Sequence, residues 1–117
     1  MNREKFNDAK KAILALAQDI MNKKQPEYTN KNDDVLLNFK SSAENLGLEP
    51  QEVWAVFFHK HVQAILTHAH NPEMNEAEPI ESRYADAINY LFLGWALHIE
   101  KLLQDHENLD INYKTIE

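Results

Sequence analysis

Apolar residues recur at intervals of three and four along most of the chain. Phe6, Ala9, Ile13, Leu16, Ala17 and Ile20 fall on one stripe of a first helix. The polar stretch from Lys23 to Asn30, with Pro26 inside it, is expected to end that helix and serve as a connection. A second helix is predicted from a cap near Asn32, with Val35, Leu36, Phe39, Ala43 and Leu46 facing inward. It stops at Gly47, a residue suited to the left-handed exit conformation. Pro50 and Pro79 each restart the chain, because a proline in the first helical turn gives up an N–H that has no partner there anyway. The third helix is therefore expected from Pro50 to about His70 and the fourth from Pro79 to about His106, joined by a short polar link over 71–77. The tail, 107–117, shows no period and is read as a mobile end or a docked strap.

Composition supports the same class. Two glycines cannot serve a set of hairpins, and 12 Ala with 13 Leu far outnumber four Val with three Thr. The 117 residues form one all-α domain, a four-helix-bundle-like unit without repeats or low-complexity segments. The third and fourth helices are apolar on nearly every side at Val53–Phe58 and over Tyr84–Ile99, which two flanking helices can hardly cover. A homo-oligomer is expected, most simply a two-fold dimer in which helix four, helix three or both meet their counterparts.

Charge and missing residues narrow the chemistry. A formal net charge of -7 argues against a nonspecific grip on nucleic acid, whose affinity comes from Lys and Arg neutralising phosphates. The absence of cysteine removes disulfides, thiolate metal sites and a cysteine nucleophile. No stretch approaches the roughly 18 apolar residues of a membrane span or has the form of a signal peptide, so a cytoplasmic location is expected. Zinc lacks support because no two of the six histidines are four apart. Ser41, Ser42 and Ser82 stand in no nucleophile elbow, and Gly47 and Gly94 cannot make a phosphate loop.

Polar residues interrupting the apolar pattern are the candidate site. Arg83, Asp86, Asn89 and Tyr90 share one side of the fourth helix, continued by Leu93 and Leu97. A carboxylate beside an otherwise apolar strip points to a lined cavity, since burying it unpaired is costly. The competing reading is an exposed Arg83–Asp86 pair at i, i+3. On the third helix, His61 and His68 project with Trp54, Phe57, Ala64 and Ile65, and Lys60 sits at the border. Such a lysine ordinarily snorkels to water, while one aimed into a crevice partners phosphate. Asp34 and Asn38 on the second helix, with Glu78, Glu81, Asp86 and Asn89 on the fourth, are candidate oxygen ligands for Mg²⁺. Helix-dipole preference alone also explains Asp33, Asp34, Glu78 and Glu81.

The run Asp34-Val35-Leu36-Leu37-Asn38-Phe39-Lys40, then Lys60-His61 with Ala64-Ile65, then Glu78-Pro79-Ile80-Glu81 through Arg83, Asp86 and Asn89-Tyr90-Leu91, resembles small phage and prophage proteins. These are similar to the nucleotide modification associated domain 1 family and, more distantly, to the all-α NTP pyrophosphohydrolases of the MazG type. The resemblance covers roughly residues 33–98. It implies an all-α nucleotide-handling protein, in which carboxylates hold Mg²⁺ against nucleotide phosphates while water attacks. Asp86, Tyr90 and Leu91 match the end of the MazG-type pattern. Arg83 stands at its E-x-x-D glutamate position, and Lys60 and His61 stand where an E-x-x-E pair belongs. The resemblance therefore implies a polyanion pocket: Lys60, His61, Arg83, Asp86 and Asn89 contact the ligand, and Asp34, Asn38, Glu81 and Asp86 are the candidate Mg²⁺ set. Two activities are open under it, binding of a nucleotide or phosphate-bearing metabolite, and Mg²⁺-assisted phosphoanhydride hydrolysis. The alternative is an acidic helical interaction protein that docks on a host or phage protein and takes no small ligand.

Overall fold

A computed structural model describes residues 1–29, 33–73 and 77–106. It contains four helices, α1 (Arg3–Thr29), α2 (Leu37–Leu46), α3 (Pro50–His70) and α4 (Ile80–Asp105), and no strand among the described residues. Consecutive helices pack against each other, and α1 also packs on α4, so the four close into a ring. No described helix is long and apolar enough to cross a membrane.

Local chemistry explains the boundaries, including those that differ from expectation. α1 continues through Pro26 to Thr29. Pro26 falls in the last turn, where a missing N–H forfeits a single backbone bond instead of splitting the helix. α2 begins at Leu37 rather than near Asn32, which lies outside the described residues. Asp34 sets this start: its Oδ1 accepts the Leu36 N–H at 2.9 Å and its carbonyl accepts the Leu37 N–H at 3.2 Å. An aspartate that turns the chain onto itself in this way delays helix entry by two residues. Gly47 ends α2 at φ 68, a left-handed conformation that favours glycine. Glu49 and Glu52 then form a capping box at the start of α3, the Glu49 N–H donating to Glu52 Oε1 at 2.9 Å.

Leu36, Phe39, Ala43, Val53 and Leu97 form the core, with Trp54, Tyr90, Leu93 and Ala96 packed against it. Two residues expected inside are not: Val35 lies in the turn before α2 and is exposed, and Leu46 is exposed at the last turn beside Gly47. The stripe on α1 is buried only in its second half, at Ala17 with Ile13, Leu16 and Ile20 partly covered, while Phe6 is exposed beneath the Lys10 ammonium at 5.1 Å.

The α3–α4 seam closes at Gly94. A Cβ there would stand 2.4 Å from the Trp54 ring, so the indole lies directly on the α4 backbone. The Trp54 Nε1–H donates to the Tyr90 carbonyl at 2.6 Å, and the ring stacks on Phe58 at 5.0 Å between centroids.

Lys40 ties α2 to α4. Its ammonium lies 2.7 Å from Asp34 Oδ2 and 2.8 Å from Glu100 Oε1. The hydrogen bond from Lys40, reinforced by the Leu36 N–H, holds the Asp34 carboxyl below its ordinary value of 3.8. Hydrogen bonds to Asp34 and Glu100 raise Lys40 above 10.5. The depressed carboxyl contributes stability above pH 3.8 that is lost as pH falls through its folded value. The raised lysine contributes below 10.5 and is lost as pH rises through its folded value. All three side chains are about one-third exposed, so Lys40→Met is expected to cost under about 1 kcal/mol. In chemical denaturation the difference from wild type should stay level through neutral pH and shrink at both extremes. A difference that grows in acid would contradict this assignment.

Candidate functional site

The ring of helices encloses a pocket of about 90 Å³ to which all four segments contribute. Ile20, Met21 and Lys24 come from α1, Val35 and Asn38 with Phe39 from the α2 region, His61 from α3, and Asp86, Asn89, Tyr90 and Leu93 from α4. That space holds several waters or part of a small organic ligand.

α4 supplies the polar end because Asp86 and Asn89 are three residues apart and so share its inward side. Both are buried. The Asn89 Nδ2–H donates to the Ala17 carbonyl at 2.8 Å, which pins α1 to α4 with the same amide that lines the pocket. Asp86 is reached by Lys24, whose Nζ lies 3.9 Å from Oδ1. This is a loose pair, since the Asp86 side chain is 12% exposed and that of Lys24 is 47% exposed. Lys24 therefore stands at the mouth and Asp86 within.

The aromatic side of the pocket is organised by Tyr90. Its ring sits 4.5 Å from His61, 6.1 Å edge-on from Phe39 and 6.4 Å from Phe57. Burial is the main cause that pushes His61 below its ordinary value of 6.5. Asp86 opposes that shift, and the positive charges of Lys60, Arg83 and Lys24 add to it. His61 is thus a neutral hydrogen-bonding ring at neutral pH.

The candidate residues separate accordingly. His61, Asp86, Asn89 and Asn38 come together in the pocket. Lys60 is exposed and lies outside its wall, as expected of a snorkelling lysine, although its charge reaches His61. Arg83 also lies outside the wall. Instead of pairing with Asp86, it reaches back to Glu78 at 3.7 Å, and its buried Nε has no hydrogen-bond partner among the described residues. Of the candidate Mg²⁺ ligands, Asp34 is engaged by Lys40 and Glu81 is exposed in the first turn of α4, so neither reaches the pocket. Among the described residues no three His, Asp or Glu side chains gather as a metal cage.

Lys24 is the functional candidate that sequence reasoning missed. Its signal was present: Ala17, Ile20 and Lys24 are spaced by three and four, so the inward stripe of α1 continues to it once the helix runs past Lys23.

The architecture is that of an all-α four-helix ring around a mixed polar and aromatic hollow. Compared with known proteins, the chain matches no family model, no curated protein sequence and no solved structure.

Proposed function

We propose that the pocket binds a nucleotide or a related phosphate-bearing metabolite. A planar heteroaromatic group enters beside Tyr90, Phe39 and His61, its polar edge meets Asp86 and Asn38, and its phosphates remain at the mouth near Lys24, with Lys60 and Arg83 adding positive potential. The observation that carries this reading is one pocket that joins the aromatic side of Tyr90, Phe39 and His61 to the Asp86 carboxylate, with the Lys24 ammonium 3.9 Å from Asp86 at its mouth. A lysine at the mouth of a pocket in an otherwise acidic protein attracts an anion there. The resemblance read from residues 33–98 in the sequence alone, which no family model matches, points to the same ligand class. Mg²⁺ carried in by the phosphates fits beside Asp86. Turnover is a separate question, answered by assaying release of phosphate or pyrophosphate.

A panel of nucleoside mono-, di- and triphosphates, with and without Mg²⁺, is expected to raise the melting temperature. Lys24→Ala should lower the response most for triphosphates, and Asp86→Ala should reduce it for the whole panel. Affinity for a triphosphate should rise as pH falls toward His61's protonation, because the added charge is of opposite sign to the phosphates, and His61→Gln should flatten that rise. A panel that leaves the melting temperature unmoved, together with a stoichiometric protein partner in pull-down, would replace this reading with the acidic interaction protein.

A further inference from the structure

On the side of α4 away from the pocket lies a stripe with a different period. Tyr84, Ile88, Leu91, Trp95, His98 and Leu102 follow one another at spacings of four, three, four, three and four. This is the 3.5-residue repeat by which one helix packs along another. The stripe contains no Asp, Glu, Lys or Arg, and among the described residues Ile88 and Leu102 are only partly covered while the other four are exposed. Tyr84 is 46% exposed, Leu91 54% and Trp95 51%, and the neighbouring Phe92 is 56% exposed. Because α1 and α3 pack on the flanks of α4, the stripe runs between them on the outside of the ring.

We infer that a second copy of this chain covers the stripe, with the two α4 helices antiparallel about a two-fold axis. Antiparallel pairing of the stripe with itself has one register that engages all six positions: Tyr84 meets Leu102, Ile88 meets His98 and Leu91 meets Trp95, each twice. Among the described residues α3 carries a comparable uncharged run, Val56, His59, Gln63, Leu66 and His70, but three of its five positions are polar, whereas the α4 stripe has one; a two-fold interface requires a patch that complements itself. The opposed orientation also sets the positive N-terminal end of each helix beside the negative C-terminal end of its partner. Aromatic side chains bury about 150–250 Å² each, so the four half-exposed residues alone offer roughly 400 Å² per chain. That is half of the ~800 Å² per partner of a standard interface, and exposed His98 adds to it. This inference rests on the outer side of α4 and is independent of what the pocket binds.

Sedimentation of the full chain at about 100 µM is expected to show a dimer, since interfaces of this size span micromolar to tighter dissociation constants. Leu91→Glu and Trp95→Lys, each with unchanged helical circular dichroism because both positions are exposed, should sediment as monomers. Mixing the two variants should restore a dimer, because the antiparallel register places the new glutamate against the new lysine and leaves one Leu91–Trp95 contact intact. A monomeric wild type overturns the inference, including the case in which residues 107–117 or a foreign helix cover the stripe. A wild-type dimer that survives both substitutions overturns the choice of surface. Failure of the mixture to reassociate overturns the antiparallel register.

Discussion

Phe39→Ala is expected to cost about 3–5 kcal/mol of folding stability, the range for truncating a buried phenylalanine. Phe39 is 4% exposed at the centre of the core, between Phe57 at 6.5 Å and Tyr90 at 6.1 Å. Its removal takes away the largest side chain that α2 places in the core against α3 and α4. The neighbours cannot collapse freely into the space, because Tyr90 is also engaged by His61 and its carbonyl by Trp54. Against a total of about 5–15 kcal/mol for a domain of this kind, the variant should unfold at a much lower denaturant midpoint with little change in slope. Since Phe39 also lines the pocket, the ligand response should vanish with it. A loss below about 1 kcal/mol would mean that the core is not organised around this ring.

Gly94→Ala is the second large effect, and its sign runs against helix propensity. Alanine is preferred over glycine inside a helix by about 1 kcal/mol, so an open site would gain. Here the added methyl would meet the Trp54 ring carbons at 2.4 and 2.5 Å. The indole is rigid, stacked on Phe58 and bonded to the Tyr90 carbonyl, so α3 and α4 must part to admit the methyl. Overpacking of this kind typically costs about 1–3 kcal/mol, and loss of the indole bond adds to it. The expected outcome is a net loss of about 1–3 kcal/mol by urea denaturation. Trp54→Leu removes the obstructing atoms, and in that background Gly94→Ala should become neutral or stabilising. Equal costs in both backgrounds would show that Trp54 is not the obstacle.

Much of this architecture could be read from periodicity. The α3 and α4 boundaries follow from Pro50, Pro79 and continuous apolar runs, signals that act within a few residues. The entry to α2 could not be read in the same way. Whether Asp34 or an earlier residue turns the chain depends on its side chain folding back onto Leu36, while Lys40 holds the other oxygen. The pocket was half legible. Asp86 and Asn89 announce themselves as polar residues on an apolar side, and His61 projects with apolar neighbours on α3. Lys24 was hidden because Pro26 makes its segment look like a connection, and Arg83 points to Glu78 because side-chain reach, unlike spacing, is not written in a helical wheel. The exposed stripe on α4 appears in the sequence as an excess of apolar residues. Its register became visible only when the inner side was known.

The two indoles of this chain stand in different surroundings at neighbouring points of α4. Trp54 is wedged against Gly94 with its N–H held, and Trp95 stands half in solvent. Their emission is expected to divide into a shorter-wavelength component that follows the α3–α4 seam and a longer-wavelength, quencher-accessible component that follows the outer surface. Single-tryptophan versions of the protein would separate internal rearrangement from events outside the ring by colour alone, without any added dye.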